Sequence, residues 1–247
     1  MPKLFNIATN KQGLVVYGGE SSSDYGMVVA EAPTYERARR KQTIYTVPGR
    51  NGSVIFQQDA WEDVPRSYKV WLAEDDLTPL VDKVDAFEAM LNSMKGYQRL
   101  EDNFEPDVFR LAYYSGGDDF SNSMTQYGEA TINFTCRAER FLKSGEAPVT
   151  VLNGDQLVNP TRFTAKPLIH IEGSGTITVA IGGNTISASV TDYINIDCET
   201  MNAYRLAAEN KNSDISGTFP QIVPGVNTVG ITGTPTLVTV APRYFSI

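Results

Sequence analysis

The sequence is poor in the residues that most chemistry requires. It holds 1 histidine and 2 cysteines in 247 residues, so a four-ligand Cys/His zinc site cannot be built. Any Ser-His-Asp or Cys-His nucleophile would have to use His170. Basic side chains number 21 against 29 acidic, a net charge of −8. That field repels phosphate, so sequence-specific nucleic-acid binding is not expected. The first residues, MPKLFNIATNKQG, lack the apolar core of a signal peptide, and the chain is expected to begin in a reducing cytoplasm. A long apolar run is missing too. The longest stretch free of Asp, Glu, Lys and Arg, 215–242, is broken by Pro220, Pro224, Pro235 and Pro242 and by Gly217, Gly225, Gly230 and Gly233. Such a stretch reads as short strands and turns, and no membrane insertion is expected.

What is present suits packed cores. Hydrophobic residues make up 41% of the chain, and its length exceeds the usual single domain, so two domains are expected. Charge density marks the division: residues 1–140 carry 15 basic and 21 acidic side chains, residues 141–247 only 6 and 8. The segment Lys143-Ser144-Gly145-Glu146-Ala147-Pro148 is polar and rich in breakers. The expected domains are therefore 1–142 and 149–247.

The first half alternates as strands do. Ala130, Ile132, Phe134, Cys136 and Ala138 fall on one face of a segment whose other face is polar. Tyr68, Val70 and Leu72 form a second such face, and Phe109, Leu111 and Tyr113 a third. Between them, Leu80, Val81, Val84, Phe87, Met90, Leu91 and Met94 recur at steps of three and four, which predicts an amphipathic helix over about 78–95. Thr78 suits its N-cap, Pro79 its first position and Gly96 its C-terminal stop, while Asp75 and Asp76 suit the positive end of its dipole. The second half reads as strands throughout. A hairpin is predicted from Thr176–Ile181 through Gly182-Gly183-Asn184 to Thr185–Val190, followed by strands at Tyr193–Cys198, Asn227–Ile231 and Thr236–Val240. Many short strands with Gly/Pro turns predict a β-sandwich. The fold class is mainly β: an N-terminal β domain with one packed helix, then a sandwich.

Each candidate for chemistry has a plainer reading. His170, in Pro167-Leu168-Ile169-His170-Ile171, lies opposite the apolar face and reads as an exposed strand histidine. Cys136 and Cys198 continue apolar faces and read as core packing. Glu101, Asp102, Glu105 and Asp107 are candidates for a glycosidase acid/base pair, and Gly116-Gly117-Asp118-Asp119 for a calcium loop; solvated loops account for both. Gly173-Ser174-Gly175 is too short for a dinucleotide motif. Arg37-Ala38-Arg39-Arg40-Lys41 is the basic cluster; in a strand, Arg37, Arg39 and Lys41 would share a face able to meet acidic groups of another subunit. For sugar stacking, Trp61 and Trp71 fall in the first domain, which leaves Tyr193, Tyr204 and Phe219 in the second. No catalytic residue, cofactor or metal ligand is assigned.

The order of several motifs resembles the distal tail protein (Dit) family of phages with long, non-contractile tails. The carrying segments of the first half are Thr46-Val47-Pro48-Gly49-Arg50-Asn51-Gly52-Ser53, Arg66–Leu72, the helix and the strand over 127–140. Those of the second are Asn159-Pro160, Ala165–Gly175, Tyr193–Glu199, Phe219-Pro220 and Pro224-Gly225-Val226-Asn227. The resemblance implies a ring-forming N-terminal domain and a peripheral, galectin-like C-terminal sandwich that need not bind sugar. It further implies a non-enzymatic homohexameric hub at the distal tip of the virion tail, assembled in the host cytoplasm. That hub joins the tail tube protein to the tail-tip protein, often carries receptor-binding proteins, and lets DNA pass. On this reading Arg37, Arg39, Lys41, Pro48, Gly49, Arg50 and Gly52 are the candidate intersubunit and structural residues. The alternative reading is a carbohydrate-binding module acting at a cell surface.

Overall fold

The computed structural model describes residues 13–34, 36–73, 80–117, 121–122, 127–206 and 209–247. The chain divides into two compact units, Met1–Arg140 with Ile247, and Phe141–Ser246. It is mainly β, with one α-helix among the described residues.

The first unit comprises β1 (Val15–Tyr17), β2 (Met27–Val29), β3 (Arg40–Tyr45), β4 (Val54–Trp61), β5 (Val64–Ala73), α1 (Leu80–Ser93), β6 (Gln98–Asp102), β7 (Val108–Gly117) and β8 (Tyr127–Leu142). Its main sheet runs β1-β6-β7-β8-β5-β2. The sheet curls until its edges meet: the Val29 amide donates to the Gly13 carbonyl at 2.7 Å. A Cβ on Gly13 would lie 2.5 Å from the Val29 oxygen, so glycine is what permits the closure.

Alternation becomes burial through register. Ala130 pairs with Val70, Ile132 with Tyr68 and Cys136 with Val64, and all six are buried. Directly opposed residues of antiparallel strands share a face, so these pairs line one side. α1 covers that side with Phe87, Met90 and Leu91, all buried, assisted by Val84 and Met94. Thr78, Pro79, Asp75 and Asp76, and the side chains of Leu80 and Val81, lie outside the described residues. Gly96, at φ +70°, follows the helix.

One predicted face is corrected. β7 buries Arg110 and Ala112, while Tyr113 is exposed and Phe109 and Leu111 are half-buried. Apolar alternation misassigned this strand because its inward face carries an arginine that has a partner inside, Glu105.

The second unit comprises β9 (Val149–Thr150), β10 (Gln156–Asn159), β11 (Leu168–Gly173), β12 (Gly175–Ile181), β13 (Asn184–Val190), β14 (Tyr193–Asp197), β15 (Asn202–Arg205), β16 (Glu209–Asn210), β17 (Ile215–Gly217), β18 (Gly225–Thr228), β19 (Gly230–Thr232) and β20 (Pro235–Ala241). Two sheets, β9-β20-β11-β14-β15-β16 and β17-β13-β12-β19, enclose one core of mostly Ile and Val, among them Ile169, Ile171, Ile177, Val179, Ile186 and Ile196. β10 and β18 form a separate two-stranded ribbon. The predicted strand 227–231 is two strands, broken at Val229. Between β12 and β13, Gly182 and Gly183 take φ +60° and +85°, as a two-residue type I′ turn requires. A Cβ on Gly182 would stand 2.0 Å from the Gln221 oxygen, so only glycine fits.

Candidate assembly interface

β3 and β4 pair with each other and with no other strand among the described residues. They form an arm joined to the main sheet's β5 through Glu62 and Asp63. Its tip is a tight turn: the Arg50 amide donates to the Val47 carbonyl at 3.2 Å, with Pro48 second and Gly49, at φ +79°, third, the pattern of a type II turn. Gly52 also has positive φ, +82°. Pro48, Gly49, Arg50 and Gly52 are all exposed. They shape the turn and, within this chain, touch no core.

The basic cluster is arranged differently from a one-faced stripe. The strand begins at Arg40, so Arg37 and Arg39 precede it in irregular chain. The register shifts between Arg40 and Gln42, which puts Lys41 at an irregularity. Arg40 sits 4.8 Å over the Trp61 ring and 3.6 Å from Asp59. The Glu62 amide donates to the Arg39 carbonyl at 2.8 Å, closing the arm's base.

The unexpected feature is apolar. Tyr45 opposes Val54, Ile44 opposes Ile55, and Thr43 opposes Phe56. One face therefore carries Tyr45, Val54 and Phe56, with the Tyr45 and Phe56 rings edge-on at 5.6 Å. The other carries Ile44 and Ile55. Ile44, Tyr45, Ile55 and Phe56 are each more than half exposed, between 54% and 59%. An isolated two-stranded hairpin is marginal in water, and one with apolar groups on both faces needs cover on both. The sequence did hold a signal for this. Ile44-Tyr45 and Val54-Ile55-Phe56 are consecutive apolar residues where a half-buried strand would alternate.

Near its start, β5 carries a buried ionic network. Arg66 donates from Nη2 to Asp102 Oδ2 at 2.7 Å and to Glu105 Oε2 at 3.2 Å. Tyr68 Oη donates to the same Asp102 oxygen at 2.7 Å. Glu105 also accepts from Arg110 at 3.3 Å and from Arg140. The second Asp102 oxygen accepts the amides of Phe104 and Glu105. Burial pushes the Asp102 carboxyl up, but the hydrogen bonds from Tyr68 and Arg66, and the Arg66 charge, outweigh it and hold the group below the ordinary carboxylate range. A carboxylate so held is not the proton donor that a glycosidase needs. Glu101 is tied to Arg99, and Asp107 is exposed.

The remaining candidates are dispersed. Asp118 and Asp119 lie outside the described residues, and among the described residues no group of three His, Cys, Asp or Glu side chains is arranged to hold a metal. Cys136 and Cys198 are buried free thiols, pushed up by burial to about 11 and about 12. They are protonated and unreactive at neutral pH. His170 lies on the outer face of β11, its side chain 29% exposed. No described helix is long and apolar enough to cross a membrane.

No family model and no curated protein sequence matches the chain. Solved structures do. The SPP1 Dit protein, described as a paradigm of hub adsorption apparatus in phages infecting Gram-positive bacteria, superposes with a TM-score of 0.73 at 16% identity, covering 96% of this chain and 100% of that one. A chain of the phage p2 baseplate in its activated conformation with Sr matches with a TM-score of 0.51 at 10% identity, covering 93% and 97%. The likeness is one of fold, spans both units, and agrees with the Dit resemblance read from the ordered motifs.

Proposed function

We propose that this chain is a structural hub protein of a phage tail tip, whose copies close into a ring by laying the β3–β4 arm against a neighbouring copy. The observation that carries the reading is the arm itself. Among the described residues it has two apolar faces, two unpaired edges and no cover, so a second copy is the occupant that satisfies every subunit equally. Six such copies would form the hub between the tail tube protein and the tail-tip protein, with receptor-binding proteins as further partners. With a charge of −8 per chain, closure rests on strand pairing, apolar contact and local ion pairs. Acidic groups lining a central channel would keep DNA from adhering as it passes. The role is architectural and calls for no cofactor.

Electron microscopy and mass photometry of the purified chain test this. Six-fold rings are expected at high concentration. Ile44→Ser with Phe56→Ser is expected to leave monomers whose melting curve is unchanged, because neither side chain belongs to a core. Persistent monomers of the parent chain would overturn self-closure, and intact rings in the double variant would overturn the arm's role.

A further inference from the structure

The chain contains two Asn-Gly pairs, Asn51-Gly52 and Asn153-Gly154. Asparagine followed by glycine is the pair most open to succinimide chemistry, because glycine has no Cβ to shield its amide nitrogen from the neighbouring side chain. Both asparagines are exposed, and both glycines have positive φ, +82° and +95°, so neither exposure nor backbone conformation separates the pairs. Hydrogen bonding does. Asn153 Oδ1 accepts the Ile231 amide at 2.8 Å, and the Gly154 amide donates to the Val229 carbonyl at 2.8 Å. Electrophile and nucleophile of that pair are thus each tied to the segment 229–231. At the arm's tip neither tie exists: among the described residues, no hydrogen bond engages the Asn51 side chain or the Gly52 amide. A Cβ at Gly52 would meet nothing within 4 Å, so the approach is open as well. The turn that holds the tip ends one residue earlier, at the Arg50 amide.

We infer that Asn51 is a site of spontaneous deamidation and isomerisation, and that Asn153 is not. The Gly52 amide nitrogen gives its proton to a base and adds to Asn51 Cγ, forming a C–N bond. The bond from Cγ to the side-chain nitrogen breaks, and that nitrogen takes a proton from solvent and leaves as ammonia. A five-membered succinimide remains, and water opens it. Cleavage between Cγ and the Gly52 nitrogen leaves aspartate; cleavage between the backbone carbonyl carbon and that nitrogen leaves isoaspartate. One water is consumed, one ammonia is released, and nothing is oxidised or reduced. Either product adds a negative charge beside Arg50, on a chain already at −8. Isoaspartate also routes the backbone through the side-chain carbons, which lengthens by one methylene the loop between Tyr45 and Val54, residues that face each other across the arm. Loop length fixes the register of a hairpin, so the modification changes the arm's tip in shape as well as in charge and leaves both cores untouched.

Peptide mapping by mass spectrometry tests this on the full chain, held in mildly alkaline buffer at 37 °C and sampled over days. Conversion at Asn51 is expected to outrun conversion at Asn153 by about tenfold or more, the cost of the two hydrogen bonds that Asn153-Gly154 must first release. Isoaspartyl methyltransferase with labelled S-adenosylmethionine is expected to tag the arm peptide. Asn51→Gln, whose longer side chain must close a six-membered ring far more slowly, is expected to lose that tag. Its melting curve should match the parent's, since position 51 belongs to no core. Equal conversion at both asparagines would overturn the assignment. So would an intact Asn51 under conditions in which a synthetic peptide of residues 47–54 converts. These readouts need no ring, so a chain that stays monomeric overturns the assembly reading and leaves this one in force.

Discussion

Asp102 accepts hydrogen bonds from Arg66, Tyr68 and two backbone amides, and its titration is written into the protein's acid stability. Its folded-state pKa lies below the unfolded value of about 4. Its contribution is therefore complete above that value and is lost as pH falls through the lower, folded value. Asp102→Asn removes this part of the acid limb. It also takes from Arg66 one of its two carboxylate partners, leaving Glu105, at a cost of about 1.5–3 kcal/mol, the range for a hydrogen bond to a charged group. Chemical denaturation between pH 2.5 and 7 checks both: the parent should lose stability on acidification more steeply than the variant. At the same scale, two asparagines of the segments that carry the resemblance prove to be loop pins. Asn159 is buried and donates to the carbonyls of Phe163 and Ile222 at 2.8 and 2.9 Å. Asn227, also buried, grips Val223 through both its amide and its carbonyl, at 2.9 and 2.8 Å.

At the scale of elements, the helix was legible because periodicity is a local property. Phe87, Met90 and Leu91 come one turn apart and meet the sheet together. Leu91→Ala is expected to destabilise the first unit by about 2–5 kcal/mol, the range for emptying a packed leucine site; an unchanged thermal melt would show that the stripe does not bear on the core. The β12–β13 hairpin was equally readable, since two adjacent glycines between alternating runs have few other uses. β7 was not. Its sequence alternates apolar and mixed residues, but the inward choice fell on Arg110 and Ala112 because Glu105, supplied by a loop, offers Arg110 a partner there. The β3–β4 arm was half-legible: its turn chemistry was evident at Pro48 and Gly49, and its separation from every sheet was not.

The whole molecule consists of two units that each enclose their own core. The core of the second draws on residues 142–244 alone, so residues 141–247 expressed by themselves are expected to fold. A cooperative melt with a β-type circular dichroism spectrum would bear this out; a featureless spectrum would show that the unit needs the rest of the chain. The sequence by itself determined the β character, the single helix, the buried cysteines and the alternating core faces of β5, β8 and the sandwich, because strand and helix periodicities are carried by neighbours a few residues apart. Its 1 histidine and 2 cysteines also leave too few ligands for a four-ligand Cys/His zinc site. Only the tertiary structure decided the rest. It gathered Arg66, Asp102, Glu105, Arg110 and Arg140 into one network, left Ile44, Tyr45, Ile55 and Phe56 of the arm more than half exposed, and aligned His170 with Asn195 and Tyr204 across three strands. Those outcomes depend on which strands pair and in what register, a matter of long-range packing energy that no local pattern encodes.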